Sequence, residues 1–138
     1  MKRKQAFTII EILVVIVLIS LLAVIMLPRF IAQAENARTK LVKPRMALLE
    51  QDLTAFWADC GRFPTQAEGL ASLLKEPSGM TGKWKGPYAR EDEMLDPWGN
   101  PFEYVMPGKE NPNGYDIISR GKDGKPGGSG DAADVFNK

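Results

Sequence analysis

An apolar stretch near the start of the chain constrains the fold more than any other feature. Residues 7–27 are apolar except at three positions, Thr8, Glu11 and Ser20, and three basic residues stand among the first four positions. About 20 residues at 1.5 Å each span a hydrocarbon core of about 30 Å. The stretch therefore predicts a membrane-spanning helix, and the positive-inside rule predicts that its N-terminus lies in the cytoplasm.

We expect this segment to be retained. A cleavable secretory signal has a shorter apolar core, followed by a small-residue cleavage site. Here the apolar run continues to Pro28, and nothing after Leu27 resembles such a site. Glu11 is unusual within the run, because a charged carboxylate at mid-bilayer costs at least about 2.5 kcal/mol. Either it reaches the headgroups from the membrane edge, or it has a partner of opposite charge.

Composition excludes several classes of function. Fifteen basic and seventeen acidic side chains follow the basic start, a net charge of −2, which argues against nucleic acid as a partner. The chain has no histidine, and Cys60 is its one cysteine, so neither an intrachain disulfide nor a Cys/His zinc site is expected. No histidine base, G-x-S-x-G or P-loop pattern supports an enzyme. Cys60 is better explained as a small, partly buried residue at a helix end.

The apolar segment continues into an amphipathic one. Apolar residues recur there at helical spacing: Leu41, Met46, Leu49, Leu53, Phe56 and Trp57. One long helix is the simplest interpretation, ending at Gly61. Pro28 can kink or loosen that helix, and Pro44 predicts a second kink near residues 40–44.

The remaining residues predict a small mixed head. Thr65 and Glu68 form a capping-box pattern before a short helix that extends to Pro77. Residues 102–106 and 115–119 are rich in aromatic and β-branched residues and predict two antiparallel strands. The glycine-rich residues after Ser119 predict a flexible tail. The fold class is thus α+β, a long N-terminal helix packed on a small antiparallel sheet.

The start of the chain, "KRKQAFTIIEILVVIVLI", resembles the class III signal of type IV pilins and pseudopilins. The resemblance implies a pilin-like fold and cleavage by a prepilin peptidase between Ala6 and Phe7, with methylation of the new amine. The family's usual residue before the cut is glycine, so Ala6 predicts slower processing. Glu11 becomes the fifth residue of the mature chain, the family's assembly glutamate.

The position of Glu11 suits such a role on physical grounds. It follows Phe7 by four residues and so lies one helical turn away on the same face. Its carboxylate can neutralise the N-terminal amine of a neighbouring subunit, which would stabilise a filament over free subunits. Location at the membrane edge remains the alternative.

Three later blocks narrow the resemblance: "GRFPTQAEGLASLL", "LDPWGNPFEYVMPG" and "YDIISRGKDGKPGGSGDAADV". They are similar to the head of the major pseudopilins of type II secretion. This implies a homopolymeric pseudopilus that drives export of folded proteins, with minor pseudopilins, prepilin peptidase and an inner-membrane assembly platform with a cytoplasmic ATPase as partners. The alternatives are a type IV pilin or competence pseudopilin, and a single-pass protein whose head binds without assembly.

The resemblance also implies the boundaries of the chain's segments and its location in the cell. Residues 1–6 are the expected leader, residues 7–30 the membrane and filament-core helix, and residues 31–138 the head. The protein is expected to cross the inner membrane once, with its head in the periplasm. The block from Asp96 to Pro101 is expected to form a structural turn, since two prolines and Gly99 restrict and redirect the backbone.

The C-terminal glycine-rich loop carries scattered acidic residues. Its spacing is not that of an EF-hand, so composition alone favours a flexible tail. Major pseudopilins, however, bind calcium in this loop, and the resemblance implies a structural calcium ion, which takes six to eight oxygens. The implied ligands are the Arg120 carbonyl, Asp123, Ser129, and Asp131 or Asp134. The sequence does not choose between the last two.

Overall fold

The structure is a computed structural model that describes residues 7–138. Its first element is one long helix, α1, Ile9–Cys60. The chain divides into two compact units, the first ending at Asn36 and the second comprising Ala37–Lys138. α1 contributes residues to both. It continues through Pro28 and Pro44, so neither proline ends the helix.

The first unit presents an apolar surface. Nineteen large apolar side chains between Phe7 and Ile31 are each 47–84% exposed, and the helix is long and apolar enough to cross a membrane. Burying each such side chain is worth about 1.5–3 kcal/mol, so this surface is unfavourable in water by tens of kcal/mol. The Ser20 hydroxyl donates to the Ile16 carbonyl at 2.8 Å and needs no water in a bilayer.

The second unit has its own core, and one face of α1 supplies half of it. The buried residues of α1 recur at helical spacing: Val42, Met46, Leu49, Leu53, Phe56 and Cys60. Two apolar residues of that helical spacing, Leu41 and Trp57, do not belong to the core, because each side chain is 50% exposed, and Val42 is buried instead of its neighbour Leu41. Pro44 lies on the exposed face, where one lost backbone hydrogen bond does not disturb the core.

A three-stranded antiparallel sheet in the order β1-β2-β3 completes the head. Its strands are β1 (Glu103–Val105), β2 (Asp116–Ser119) and β3 (Val135–Phe136). In the register, Tyr104 pairs with Ile117 and Ile118 with Phe136. All four residues of the central strand β2 are buried. The α+β prediction is confirmed, and so are the two predicted strands.

The C-terminal tail folds onto the sheet through β3, although its composition alone favoured a flexible segment. β3 adds to the free edge of β2, and two side chains fasten it to α1 within the second unit. Lys43 Nζ donates to the Phe136 carbonyl at 2.5 Å, and Asn137 Nδ2 donates to Glu50 Oε1 at 2.7 Å. These long-range contacts order a segment whose composition disfavours order.

The segment after α1 is less helical than predicted. The capping box exists: Thr65 N–H donates to Glu68 Oε2 at 2.8 Å, and Glu68 N–H donates to Thr65 Oγ1 at 3.3 Å. Gly69 then adopts a positive φ of 54°, and the chain continues as a 3₁₀ helix, Leu70–Leu73, rather than an α-helix to Pro77. A positive φ is incompatible with a right-handed helix, so the box ends in a turn.

Candidate functional site

The N-terminal candidate site is the first turn of α1. Glu11 N–H donates to Thr8 Oγ1 at 3.3 Å, and Thr8 N–H lies 3.5 Å from Glu11 Oε2. This is the reciprocal geometry of a capping box, with both contacts near the long limit of hydrogen bonding. Phe7 is 76% exposed beside it. Ala6, on the other side of the predicted cleavage, lies outside the described residues.

Thr8 was missed by the sequence reasoning. The signal was available, because Thr8 and Glu11 have the same Thr-x-x-Glu spacing that identified the box at Thr65 and Glu68. The capping contacts also give Glu11 a local role that competes with an intermolecular one. Its carboxylate lies at the positive end of the helix dipole, which stabilises a negative charge there.

The second candidate site is the loop 120–134. The Arg120 guanidinium donates from NH1 to Asp134 Oδ2 at 2.8 Å and from NH2 to Glu103 Oε2 on β1. Asp134 Oδ2 also accepts from Gly127 N–H at 3.0 Å. Hydrogen bonding to Glu103 and Asp134 raises the pKa of Arg120. The sequence predicted a role only for the backbone carbonyl of Arg120. In the structure the side chain of Arg120 connects β1 to the loop.

The other predicted ligands are dispersed. Asp123 is exposed, and its Oδ1 accepts from Lys125 N–H at 3.1 Å. Asp131 is paired with Lys122, whose Nζ donates to Oδ2 at 3.3 Å. Ser129 precedes the 3₁₀ helix Gly130–Ala132, and its side chain makes no capping hydrogen bond.

Two glycines allow this loop to fold tightly on itself. A Cβ on Gly121 would lie 2.7 Å from the Ala132 carbonyl carbon, and one on Gly128 would lie 2.2 Å from the Ala132 oxygen. Both glycines also have positive φ, 65° and 84°. Any other residue at either position would meet backbone atoms, so the loop conformation requires glycine.

The acidic side chains of the loop 120–134 could bind a hard cation only together with backbone carbonyl oxygens. In residues 7–138, no three Asp, Glu, His or Cys side chains are grouped so that they could hold a metal ion. Yet Asp134 Oδ1 is buried without a hydrogen-bond partner, which calls for a cation, a water or a donor. Calcium readily takes backbone carbonyls alongside a carboxylate. The loop therefore fits calcium with Asp134 as a carboxylate ligand through its unpartnered Oδ1, whereas Asp131 is 39% exposed and has no such buried, unpartnered oxygen.

Residues Asp96–Pro101 form a turn, as the sequence predicted, and this turn is hydrogen-bonded to the start of the loop. Asp96 is buried; its Oδ1 accepts from Trp98 N–H at 3.0 Å and Asn100 N–H at 2.9 Å. Its Oδ2 accepts from the Ser119 hydroxyl at 2.7 Å. Asn100 Nδ2 in turn donates to the Gly121 carbonyl at 2.7 Å. This buried carboxylate thus connects the turn, β2 and the start of the loop.

Comparison with known protein families identifies the family to which this chain belongs. The model for "Type II secretion system (T2SS), protein G" matches residues 29–138, and the model for the "Prokaryotic N-terminal methylation motif" matches residues 1–27. The chain belongs to the type II secretion protein G family. The prediction made from the sequence blocks is confirmed.

Members of the protein G family match along nearly the whole chain. The type II secretion system core protein G of Pseudomonas aeruginosa is 34% identical, over 99% of this chain and 98% of that protein. The core protein G of Xanthomonas campestris pv. campestris is 37% identical over 96% of this chain and 88% of its own length. That of Vibrio cholerae is 30% identical, over 99% and 93%.

A solved member of the family has the same fold. The crystal structure of the major pseudopilin from the type 2 secretion system of enterohaemorrhagic Escherichia coli superimposes with a TM-score of 0.60 at 28% identity, covering 78% of this chain and 91% of that one. These matches support a pseudopilus subunit of type II secretion over a type IV pilin or competence pseudopilin. The protein G family is one of structural subunits, and the methylation motif with its apolar helix fits a membrane-anchored pseudopilin.

The comparisons leave the individual residues without assigned roles. The methylation-motif match covers Ala6, Phe7 and Glu11 but says nothing of what each does. The protein G match covers the loop 120–134 and names no ligand. Both candidate sites therefore rest on the geometry above.

Proposed function

We propose that this protein G family member assembles through α1, after cleavage between Ala6 and Phe7, into a homopolymeric pseudopilus. The proposal is based on the exposed apolar surface between Phe7 and Ile31, with Glu11 at its start. Such a surface is stable either in lipid or against the same surface of other subunits. Growth of the filament transfers it from one environment to the other.

Glu11 sets the axial position of each subunit relative to its neighbour in the filament. The new amine of a cleaved subunit is a cation, and a carboxylate four residues along the helix can pair with the amine of the next subunit. In a low dielectric, breaking such a pair by removing one partner costs about 3–5 kcal/mol. The capping contacts of Glu11 with Thr8 are long and exposed, worth about 1 kcal/mol or less. Removing the partner charge from the intermolecular pair therefore costs more than removing the cap.

Three variants separate these two roles of Glu11. Glu11→Gln keeps an oxygen that can cap Thr8 but removes the charge, Glu11→Ala removes both, and Thr8→Val removes only the hydroxyl half of the cap. We expect both Glu11 variants to abolish secretion of a type II substrate and Thr8→Val to retain most of it. Secretion by Glu11→Gln at the wild-type level would refute the charge pairing and leave capping as the role of Glu11.

The cellular arrangement follows the same proposal. The helix crosses the inner membrane, the head lies in the periplasm, and the partners are minor pseudopilins, prepilin peptidase and an assembly platform whose cytoplasmic ATPase supplies energy. The chain itself has no enzymatic activity and no nucleic-acid partner. The absence of histidine and the net charge of −2 after the basic start support both statements.

A calcium ion in the loop 120–134 completes the proposed head. Asp134 and Asp123 would supply carboxylate oxygens, with Ser129 and the Arg120 carbonyl as further donors and Asp131 as the alternative carboxylate. The buried, unpartnered Asp134 Oδ1 supports Asp134 in particular. The ion would supply positive charge to a loop rich in glycine, and its role would be structural.

Thermal melting of the full-length protein in detergent tests the calcium proposal. Calcium bound only by the native state raises the melting temperature, and a concentration 100-fold above Kd is worth about 2.7 kcal/mol. We expect a clear upward shift on replacing EGTA with calcium, lost in Asp134→Asn and retained in Asp92→Asn, whose carboxylate is 73% exposed elsewhere in the head. Equal melting of the wild type in both conditions would refute the site.

A further inference from the structure

The loop 121–133 lacks the usual means of staying closed. None of its residues belongs to the buried hydrophobic core, and five of the thirteen are glycines. Ordering each residue costs about 1–2 kcal/mol of backbone entropy, and glycine loses the most. Apolar burial does not offset this cost, so polar contacts at the ends of the loop must do so.

Arg120 supplies the strongest of those contacts. It follows β2, and its guanidinium lies between the carboxylates of Glu103 on β1 and Asp134 at the far end of the loop. The side chains of Arg120 and Asp134 are 19% and 17% exposed, so solvent screens this ion pair much less than a surface pair. The neighbouring pair of Lys122 and Asp131 is 48% and 39% exposed and is worth little.

The Asp134 carboxylate also binds the middle of the loop. Its Oδ2 accepts both from Arg120 NH1 at 2.8 Å and from Gly127 N–H at 3.0 Å. A single oxygen therefore joins the start, the middle and the end of the loop. Removing the guanidinium would leave Asp134 as a partly buried anion that keeps only the hydrogen bond from Gly127 N–H, an unfavourable arrangement.

We propose that Arg120 is an internal cation that closes the loop 121–133 onto β1 without any metal ion. The guanidinium pairs with one carboxylate from the sheet and one from the loop, and so it fixes the loop ends before a cation binds. The role is distinct from that of the Arg120 backbone carbonyl in the calcium proposal. It predicts an ordered loop in the calcium-free protein.

Hydrogen exchange of the full-length protein in detergent and EGTA tests this. We expect Arg120→Met to speed exchange of the 121–134 amides by about tenfold or more, as removal of one partner of a partly buried pair implies. Lys122→Met, the matched control in the same loop, should change it less than about twofold. Amides of α1 in the core, such as those of Leu49 and Leu53, should exchange as in the wild type in both variants.

Glu103→Gln provides a second variant that leaves the loop sequence intact. Glu103 reaches the loop through Arg120, and its side chain is 45% exposed, so its replacement should not unfold the head. It should also speed loop exchange, by less than Arg120→Met. Wild-type loop protection in both Arg120→Met and Glu103→Gln would overturn the proposal. A wild-type protein that fails to respond to added calcium would defeat the calcium site and leave this comparison in EGTA unaffected.

Discussion

The buried carboxylate of Asp116 holds the loop between β1 and β2, and replacing it tests how much of the head depends on such anchors. Asp116 is completely buried. Its Oδ2 accepts from Lys109 N–H at 2.6 Å and Glu110 N–H at 2.9 Å, and its Oδ1 accepts from Asn111 N–H at 3.0 Å. A Cβ on Gly108 would lie 2.5 Å from Oδ1, so the loop backbone packs closely against the carboxylate.

We expect Asp116→Asn to destabilise the head by about 2–4 kcal/mol. Hydrogen bonds to a charged group are worth about 1.5–3 kcal/mol each, and the asparagine amide would face at least one backbone N–H donor that it cannot satisfy. For a domain of about 100 residues, 1 kcal/mol shifts the melting temperature by about 4–8 °C, so the fall should be about 8–32 °C.

Thermal unfolding of the full-length protein in detergent, followed by near-ultraviolet circular dichroism, measures this fall. Asp92→Asn is the matched control, because Asp92 is 73% exposed and its ion pair with Arg90 is worth about 1 kcal/mol or less. A melting temperature for Asp116→Asn within 2–3 °C of the control would refute the anchoring argument, since about 4–8 °C is expected per kcal/mol.

Two further predictions concern acid stability and the core. Hydrogen bonding to Arg62 lowers the pKa of Glu68 to about 2, from an ordinary value near 4.5. Because the folded pKa is the lower one, the stabilisation is full above about pH 4.5 and is lost as pH falls toward 2. The difference corresponds to about 3 kcal/mol, reduced to about 1–2 because Arg62 is a third exposed. Melting temperature should therefore fall less steeply between pH 5 and 2 in Glu68→Gln than in the wild type, and equal slopes would contradict this. Leu53→Ala should cost about 2–5 kcal/mol in chemical unfolding, because Leu53 is completely buried, whereas Leu48→Ala, at a position 49% exposed, should cost less than about 1. Equal losses would show that α1 does not form the core with the predicted face.

The sequence predicted best those elements whose pattern is long or local. The apolar run and the helical spacing from Met46 to Phe56 predicted α1, since a periodicity repeated over many turns is a strong signal. The aromatic and β-branched runs predicted β1 and β2. The helical spacing did not predict the margins of the buried face: Leu41 and Val42 are adjacent and both apolar, and only packing against the rest of the head decides which is buried.

The sequence failed where long-range contacts override composition. β3 has two residues in a glycine-rich tail, and it forms because β2 offers an unpaired edge and Lys43 and Asn137 fasten it to α1. The role of the Arg120 side chain depends on Glu103, seventeen residues earlier, and no local pattern relates the two. The helix predicted after Thr65 was shortened by the backbone conformation of Gly69, which a sequence pattern does not specify.

The proposed pseudopilus requires that α1 segments from many copies lie side by side, with Glu11 needed for that arrangement. Crosslinking of Ile16→Cys in a Cys60→Ala background, in cells that express a complete type II secretion system, tests this arrangement. Ile16 is 57% exposed within the apolar surface, so neighbouring subunits should bring such cysteines together. Each subunit then carries one thiol and can crosslink to one neighbour, so we predict a covalent dimer that disappears when Glu11→Gln is added. Monomers alone in the first variant, or an unchanged dimer in the second, would contradict this arrangement.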